Sequence, residues 1–174
     1  MATEPDVNQT APEGRTVEHS RVVMAQVFLP QHTGPGGVFV HGGEIMKLMD
    51  TAAGLAALRH CRSSVVTLRV EGINFLSPVR VGNYVTVDAR LTYASRSSME
   101  IQVTVTTEDV LKEKTWEALT AYFVFVAVNK EGRTQPVPPL IVQSDEERRL
   151  FEAGESRYNT CRIDDLSRTL CALD

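Results

Sequence analysis

Between Gly43 and His60 the chain reads Gly-Glu-Ile-Met-Lys-Leu-Met-Asp-Thr-Ala-Ala-Gly-Leu-Ala-Ala-Leu-Arg-His, and only Glu44, Lys47, Asp50 and Thr51 break its apolar interior. Strong helix formers dominate the run, so it predicts one helix. A helix apolar around most of its girth has to be wrapped by other structure rather than lie on a surface. At about 100° per residue Glu44, Lys47 and Thr51 share one face, while Asp50 sits about 60° away beside Met46 and Ala53.

The rest of the sequence supplies the wrapping. A β-rich stretch over residues 17–29 ends at Pro30 and is followed by a turn-forming run, Gln31-His32-Thr33-Gly34-Pro35-Gly36-Gly37. After the helix come four β-branched or aromatic stretches, 65–75, 84–93, 99–107 and 116–128, separated by short turn-like segments. One strand, one helix and four strands give an α+β domain in which an antiparallel sheet curls around a central helix. At 174 residues one domain is the expectation. Residues 1–16 read as a flexible lead-in, 17–140 as the folded body and 141–174 as a C-terminal helix and tail. In that last part Ser144 is a helix N-cap with Glu147 at its third position, opening a charged helix to about Tyr158 that reads as a solvated appendage.

Charge and cysteine usage narrow the partners. A formal net charge of -4 and a pI near 5.6 give no general attraction for nucleic acid or anionic membranes, although a local basic patch is enough for a phosphate. Charge interrupts every apolar run well before 18 residues, so no membrane span is expected. Cys61, Cys161 and Cys171 are an odd set without CxxC spacing, and the first residues lack an apolar stretch and carry Glu4, Asp6 and Glu13. Reduced thiols in the cytoplasm follow as the expectation. His19, His32, His41 and His60 show no metal-ligand spacing, and no metal or redox cofactor is expected. No GxSxG elbow, Walker loop or dinucleotide fingerprint is present.

Asp50 is the sharpest candidate for chemistry, an ionisable group among Leu48, Met49, Ala52 and Ala53, which are made to be buried. It reads either as an ion-pair partner of Lys47 or a strand arginine, or as a general base or nucleophile in acyl transfer. Gly42 and Gly43 open the helix, where free N–H groups can hold an oxyanion; a tight loop-to-helix junction is the plainer reading. His41 serves as a cap, as an acid or base, or as a donor to a carbonyl, and His32 and Thr33 carry less weight. Arg96-Ser97-Ser98 offers donors for phosphates or amides, with Arg69, Arg80 and Arg90 on neighbouring strands, against the plainer reading of solvated strand ends.

Several collinear motifs then carry a resemblance. Val40-His41-Gly42-Gly43-Glu44-Ile45-Met46-Lys47-Leu48-Met49-Asp50, Ala57-Leu58-Arg59-His60-Cys61, Ile73-Asn74-Phe75-Leu76-Ser77-Pro78-Val79-Arg80-Val81-Gly82, Thr92-Tyr93-Ala94-Ser95-Arg96-Ser97-Ser98-Met99-Glu100-Ile101, Glu131-Gly132-Arg133, Pro136-Val137-Pro138-Pro139 and Glu146-Glu147-Arg148-Arg149 resemble the cytosolic, brain-type acyl-CoA hydrolases over residues 20–158. The resemblance implies a hotdog fold and hydrolysis of fatty acyl-CoA of medium to long chain to fatty acid and CoA. It also implies active sites across a homodimer, extended in some cases to a trimer of dimers. Asp50 matches the family's catalytic Asp; combined with the residue readings above, the working assignment puts Gly42 and Gly43 near the oxyanion, His41 and Thr51 near the substrate, and Arg96, Ser97 and Ser98 toward CoA. CoA is part of the substrate and no further cofactor is implied.

One departure stands out. Some family domains carry a catalytic Asn where this chain has Phe39, and the His-Thr-Asn of bacterial members reads His32-Thr33-Gly34. A non-catalytic acyl-CoA binder is therefore the alternative. A hotdog hydratase is a further rival, with His41 as its one candidate acid or base.

Overall fold

In a computed structural model the chain is described over residues 13–171, with side chains to residue 160; residues 1–12 of the expected lead-in and the Cys161 and Cys171 side chains lie outside the described residues. The elements are β1 (Arg15–Thr16), α1 (Val17–Ser20), β2 (Val22–Val27), α2 (Gly42–Cys61), β3 (Ser64–Phe75), β4 (Tyr84–Ala94), β5 (Ser98–Asp109), β6 (Lys114–Val128), β7 (Leu140–Ile141) and α3 (Asp145–Cys171). Five strands form one antiparallel sheet in the order β2-β4-β5-β6-β3, and α2 lies against one face of it.

Alternation along the strands decides which face is which. Leu91, Ile101 and Phe123 are cross-strand neighbours, as are Val87, Val105 and Leu119, and all six are buried on the helix side. Met49, Ala52, Ala53 and Ala56 of α2 are fully buried beneath them. Each such large apolar side chain contributes about 2 kcal/mol by transfer from water alone. The helix is not enclosed on all sides, as its composition suggests: Met46, Leu55 and Leu58 remain exposed in the single chain.

The strand expected over 17–29 begins only at Val22. The Thr16 hydroxyl accepts the His19 N–H at 3.2 Å, and this N-cap sets a helical turn where Val17 alone favours a strand. Residues 15 and 16, assigned from sequence to the lead-in, pair in parallel with β7.

α3 is docked, not solvated. It crosses the outer face of the sheet, where Tyr93 meets Phe151 and Tyr158 ring to ring at 5.0 and 5.5 Å. Glu100 of β5 is only 5% exposed, and Arg157 donates to both of its oxygens, Nε to Oε2 at 2.9 Å and Nη2 to Oε1 at 2.7 Å. The Thr92 hydroxyl adds a third donor at 2.6 Å, and the Arg157 guanidinium lies 4.0 Å from the Tyr122 ring centre. Gly154 is the point of closest approach: a Cβ there would lie 2.8 Å from both Glu100 Oε1 and Tyr93 Cβ. At the start of α3 the Ser144 hydroxyl accepts the Glu147 N–H, as expected, while the Glu147 carboxylate reaches back to the Gln143 N–H.

His60 closes the other end of α2. It is fully buried, accepts from the Ser20 hydroxyl on Nδ1 at 2.9 Å and donates from Nε2 to the Pro138 carbonyl at 2.9 Å. Burial holds its pKa below the ordinary value, with nearby Arg15 pushing the same way. A depressed folded pKa means that the stability contributed by the neutral ring is complete above about pH 6.5 and is lost as the pH falls through the lower folded value. Wild-type stability in urea should therefore drop below about pH 6.5. A His60→Gln variant, weaker at neutral pH, should lose less over the same interval; parallel curves for the two proteins would remove His60 as the source.

Candidate active site

Asp50 turns toward the open side of α2, where the Thr67 hydroxyl of β3 donates to its Oδ1 at 2.9 Å. Thr67 faces the helix because it is the cross-strand partner of the inward-pointing Phe125. The burial expected of Asp50 is not found: both residues are exposed in the single chain. β3 is the last strand of the sheet on this side, so among the described residues no further strand lies beyond it. Neither Lys47 nor a strand arginine pairs with Asp50 among the described residues. Sequence reasoning misses Thr67, because only strand register brings it to the helix; its position in a strand opposite the helix's lone mid-length acid is the one signal that points to it.

Around this pair the surface is apolar. Val66, Leu68, Phe75 and Leu76 are each at least half exposed along β3 and just beyond it, with Met46 on the adjoining face of α2. Phe39, Gly42, Ile45, Phe75, Leu76 and Val79 line a cavity of about 370 Å³ at the N-terminal end of the helix. Arg80 lies over Phe39, with its guanidinium carbon 5.0 Å from the ring centre.

The two glycines at the helix start have distinct steric reasons. A Cβ at Gly42 would lie 3.2 Å from the Phe75 ring, and one at Gly43 would lie 3.0 Å from His41 Nδ1. His41 is the N-cap of α2, and its Nδ1 accepts the Gly43 N–H at 3.0 Å. The Gly43 amide expected at an oxyanion is thus occupied, whereas Gly42 N–H faces no acceptor among the described residues.

Thr51 is not brought to Asp50. Its hydroxyl donates to the Lys47 carbonyl at 2.8 Å, and it opens with Gln26, His32, Glu44 and Lys47 on a polar cleft of about 240 Å³ on the β2 side of the helix. Arg96, Ser97 and Ser98 make the turn between β4 and β5, at the same end of the sheet as the C-terminus of α2. The Ser97 carbonyl accepts the Ala127 N–H and the Arg96 carbonyl the Val137 N–H, while Ser95 and Ser98 share a hydrogen bond between their hydroxyls. The Arg96 side chain is exposed and has no ion pair among the described residues. Burial pushes the Cys61 thiol pKa up, which leaves it a poor nucleophile at neutral pH. No group of three metal-ligating side chains occurs among the described residues.

Residues 37–114 match the model of the thioesterase superfamily, and an uncharacterized acyl-CoA thioester hydrolase of Bacillus subtilis is 31% identical over 148 residues, covering 85% of this chain and 86% of that protein. The chain belongs to the thioesterase superfamily. The cytosolic acyl coenzyme A thioester hydrolase of Mus musculus is 40% identical over 149 residues, covering 84% of this chain; the chain spans only 39% of the length of that hydrolase. An apo hexameric acyl-CoA thioesterase superposes with a TM-score of 0.83 at 29% identity over 88% of this chain and 98% of its own. An acyl-CoA hydrolase of Staphylococcus aureus, solved with butyryl coenzyme A and coenzyme A, has a TM-score of 0.80 at 27% identity over 91% of this chain and 98% of its own. The architecture is accordingly the hotdog fold. Variants of the staphylococcal enzyme with one Asp or one Thr changed to Ala have been solved, and those two residues are 17 positions apart, as Asp50 and Thr67 are here. No helix among the described residues is long and apolar enough to cross a membrane.

Proposed function

We propose that this chain is an acyl-CoA thioester hydrolase that works as a homodimer in the cytosol, with Asp50 as general base for water. The observation that carries it is the Thr67–Asp50 hydrogen bond beside the exposed apolar edge of β3. Thr67 fixes one carboxylate oxygen and leaves the other free for a water proton. As that water adds to the thioester carbon, Asp50 takes its proton and negative charge gathers on the carbonyl oxygen. Collapse then breaks the C–S bond, and Asp50 returns the proton to the departing CoA sulfur. The fatty acid remains, and CoA is the only cofactor-like group involved.

Chain geometry supports two copies. Asp50 lies eight residues beyond Gly42, about 12 Å along the helix axis. A base and an oxyanion donor must each sit about 3 Å from atoms of one reacting group. Within one chain these residues do not meet; a second copy packed on the apolar β3 edge brings the Gly42 N–H of one chain toward the Asp50 of the other. Arg96, Ser97 and Ser98, at the far end of α2, are then the groups for CoA, and a trimer of such dimers suits the hexameric relatives.

The test is thiol release from acyl-CoAs of increasing chain length, with release expected and strongest for medium to long chains. Tight binding without release would instead favour a non-catalytic acyl-CoA binder, in keeping with Phe39. An equal mixture of Asp50→Asn and Gly42→Val proteins, each inactive alone, should recover about a quarter of wild-type activity once unfolded and refolded together, because half the dimers then hold one intact site. No recovery would place both groups within one chain.

A further inference from the structure

His41 has a fixed role that its position alone does not reveal. A backbone N–H can only donate, so the 3.0 Å hydrogen bond from Gly43 requires an unprotonated Nδ1 on His41. A neutral imidazole carries one ring proton, which must then sit on Nε2. The ring is held there by a close fit, since even a methyl group on Gly43 would lie 3.0 Å from Nδ1 and 3.2 Å from Cε1. The backbone is held too: the His41 N–H donates to the His32 carbonyl at 2.8 Å. His32 shows the same arrangement, its Nδ1 accepting the Leu29 N–H at 3.0 Å. Among the described residues nothing accepts from His41 Nε2–H, and the residue is exposed beside Gly42, the amide left free at the start of α2.

From this we infer that His41 serves thioester hydrolysis as a neutral donor locked in the Nε2–H tautomer, giving the substrate carbonyl oxygen a second hydrogen bond beside the Gly42 N–H. The inference rests on the thioesterase reading. It assigns His41 no proton transfer, because the ring's one lone pair is engaged by Gly43. A hydratase needs the reverse, a histidine whose free nitrogen lone pair faces the substrate.

Two measurements test it. Two-bond proton–nitrogen NMR of the wild-type imidazoles at slightly alkaline pH reads the tautomer directly and needs no variant; Nε2–H with an acceptor Nδ1 is expected for His41, and an Nδ1–H ring would overturn the proposal. His41→Asn keeps an N-cap acceptor for Gly43 but removes the Nε2–H. Its kcat for thiol release should fall about 10²-fold with KM and Tm nearly unchanged. His41→Ala, which loses the cap as well, should show the same loss of kcat together with a lower Tm. Wild-type kcat in His41→Asn would reduce His41 to a helix cap. Failure of the wild type to release thiol from any acyl-CoA would overturn the thioesterase reading and the catalytic half of this proposal, and the NMR result would show whether the tautomer assignment stands without it.

Discussion

Asp50→Asn should lower kcat for thiol release by about 10³-fold while leaving the melting temperature within a few degrees of wild type. The asymmetry comes from where the residue sits. Asp50 is exposed in the single chain and makes no ion pair among the described residues, so its charge supports no packing that an amide would break. The Asn carbonyl can still accept the Thr67 hydroxyl, so the side chain stays in place. Basicity alone disappears, and positioned bases contribute about 10²- to 10⁴-fold. Thr67→Ala should have the milder version of the defect, since the base remains but its orientation is lost. Steady-state kinetics beside thermal melts measure both; an Asp50→Asn enzyme with wild-type kcat would end the role given to Asp50.

Arg157→Ala should cost about 3 kcal/mol of stability, the low end of the range for removing one partner of a buried ion pair. Glu100 is the reason for the size of the effect. Its side chain is 5% exposed and Arg157 satisfies both oxygens, so truncating the arginine leaves a buried carboxylate whose one remaining side-chain donor among the described residues is Thr92. Arg157 is itself 28% exposed, so water can reach the vacated position, which is why the low end applies. For a chain of this size the melting temperature should fall by roughly 6–12 °C. Removing both charges, in Glu100→Gln with Arg157→Ala, should recover much of the loss, because a neutral amide tolerates the site better than an unpaired carboxylate. A loss under about 1 kcal/mol in Arg157→Ala would show that the pair does not hold α3 to the sheet.

The architecture was legible because its signals are local. The apolar run at 43–60 and the four β-rich stretches each carry their own periodicity, and they become α2 and β3 to β6 with ends shifted by a few residues. The errors fall where a tertiary partner decides. Residues 17–20 turn helical because of one Thr16 hydroxyl, and α3 is docked through Glu100, a residue 57 positions from Arg157 that composition reads as one more surface acid. The site divides the same way. Asp50 stands out as the one acid at mid-length in an apolar helix, but Thr67 becomes visible only through strand register, and the burial expected of Asp50 assumes an enclosure that one copy of the chain lacks. His41 and the two glycines stand together in the sequence, yet their contacts divide the work differently, with one amide taken by the cap and one left open.

The Glu100–Arg157 pair also bears on how the protein is made. Glu100 lies in the middle of the sheet, while Arg157 belongs to α3, which leaves the ribosome after all five strands. All five strands can pair before that helix exists, so the sheet is complete in its hydrogen bonds while a carboxylate on its outer face still lacks its countercharge. A chain cut short before residue 157 would keep the right strand order and still hold an unmatched charge under an uncovered face. Prematurely terminated products should therefore be marked for degradation by quality control, even though the strands around α2 are all present.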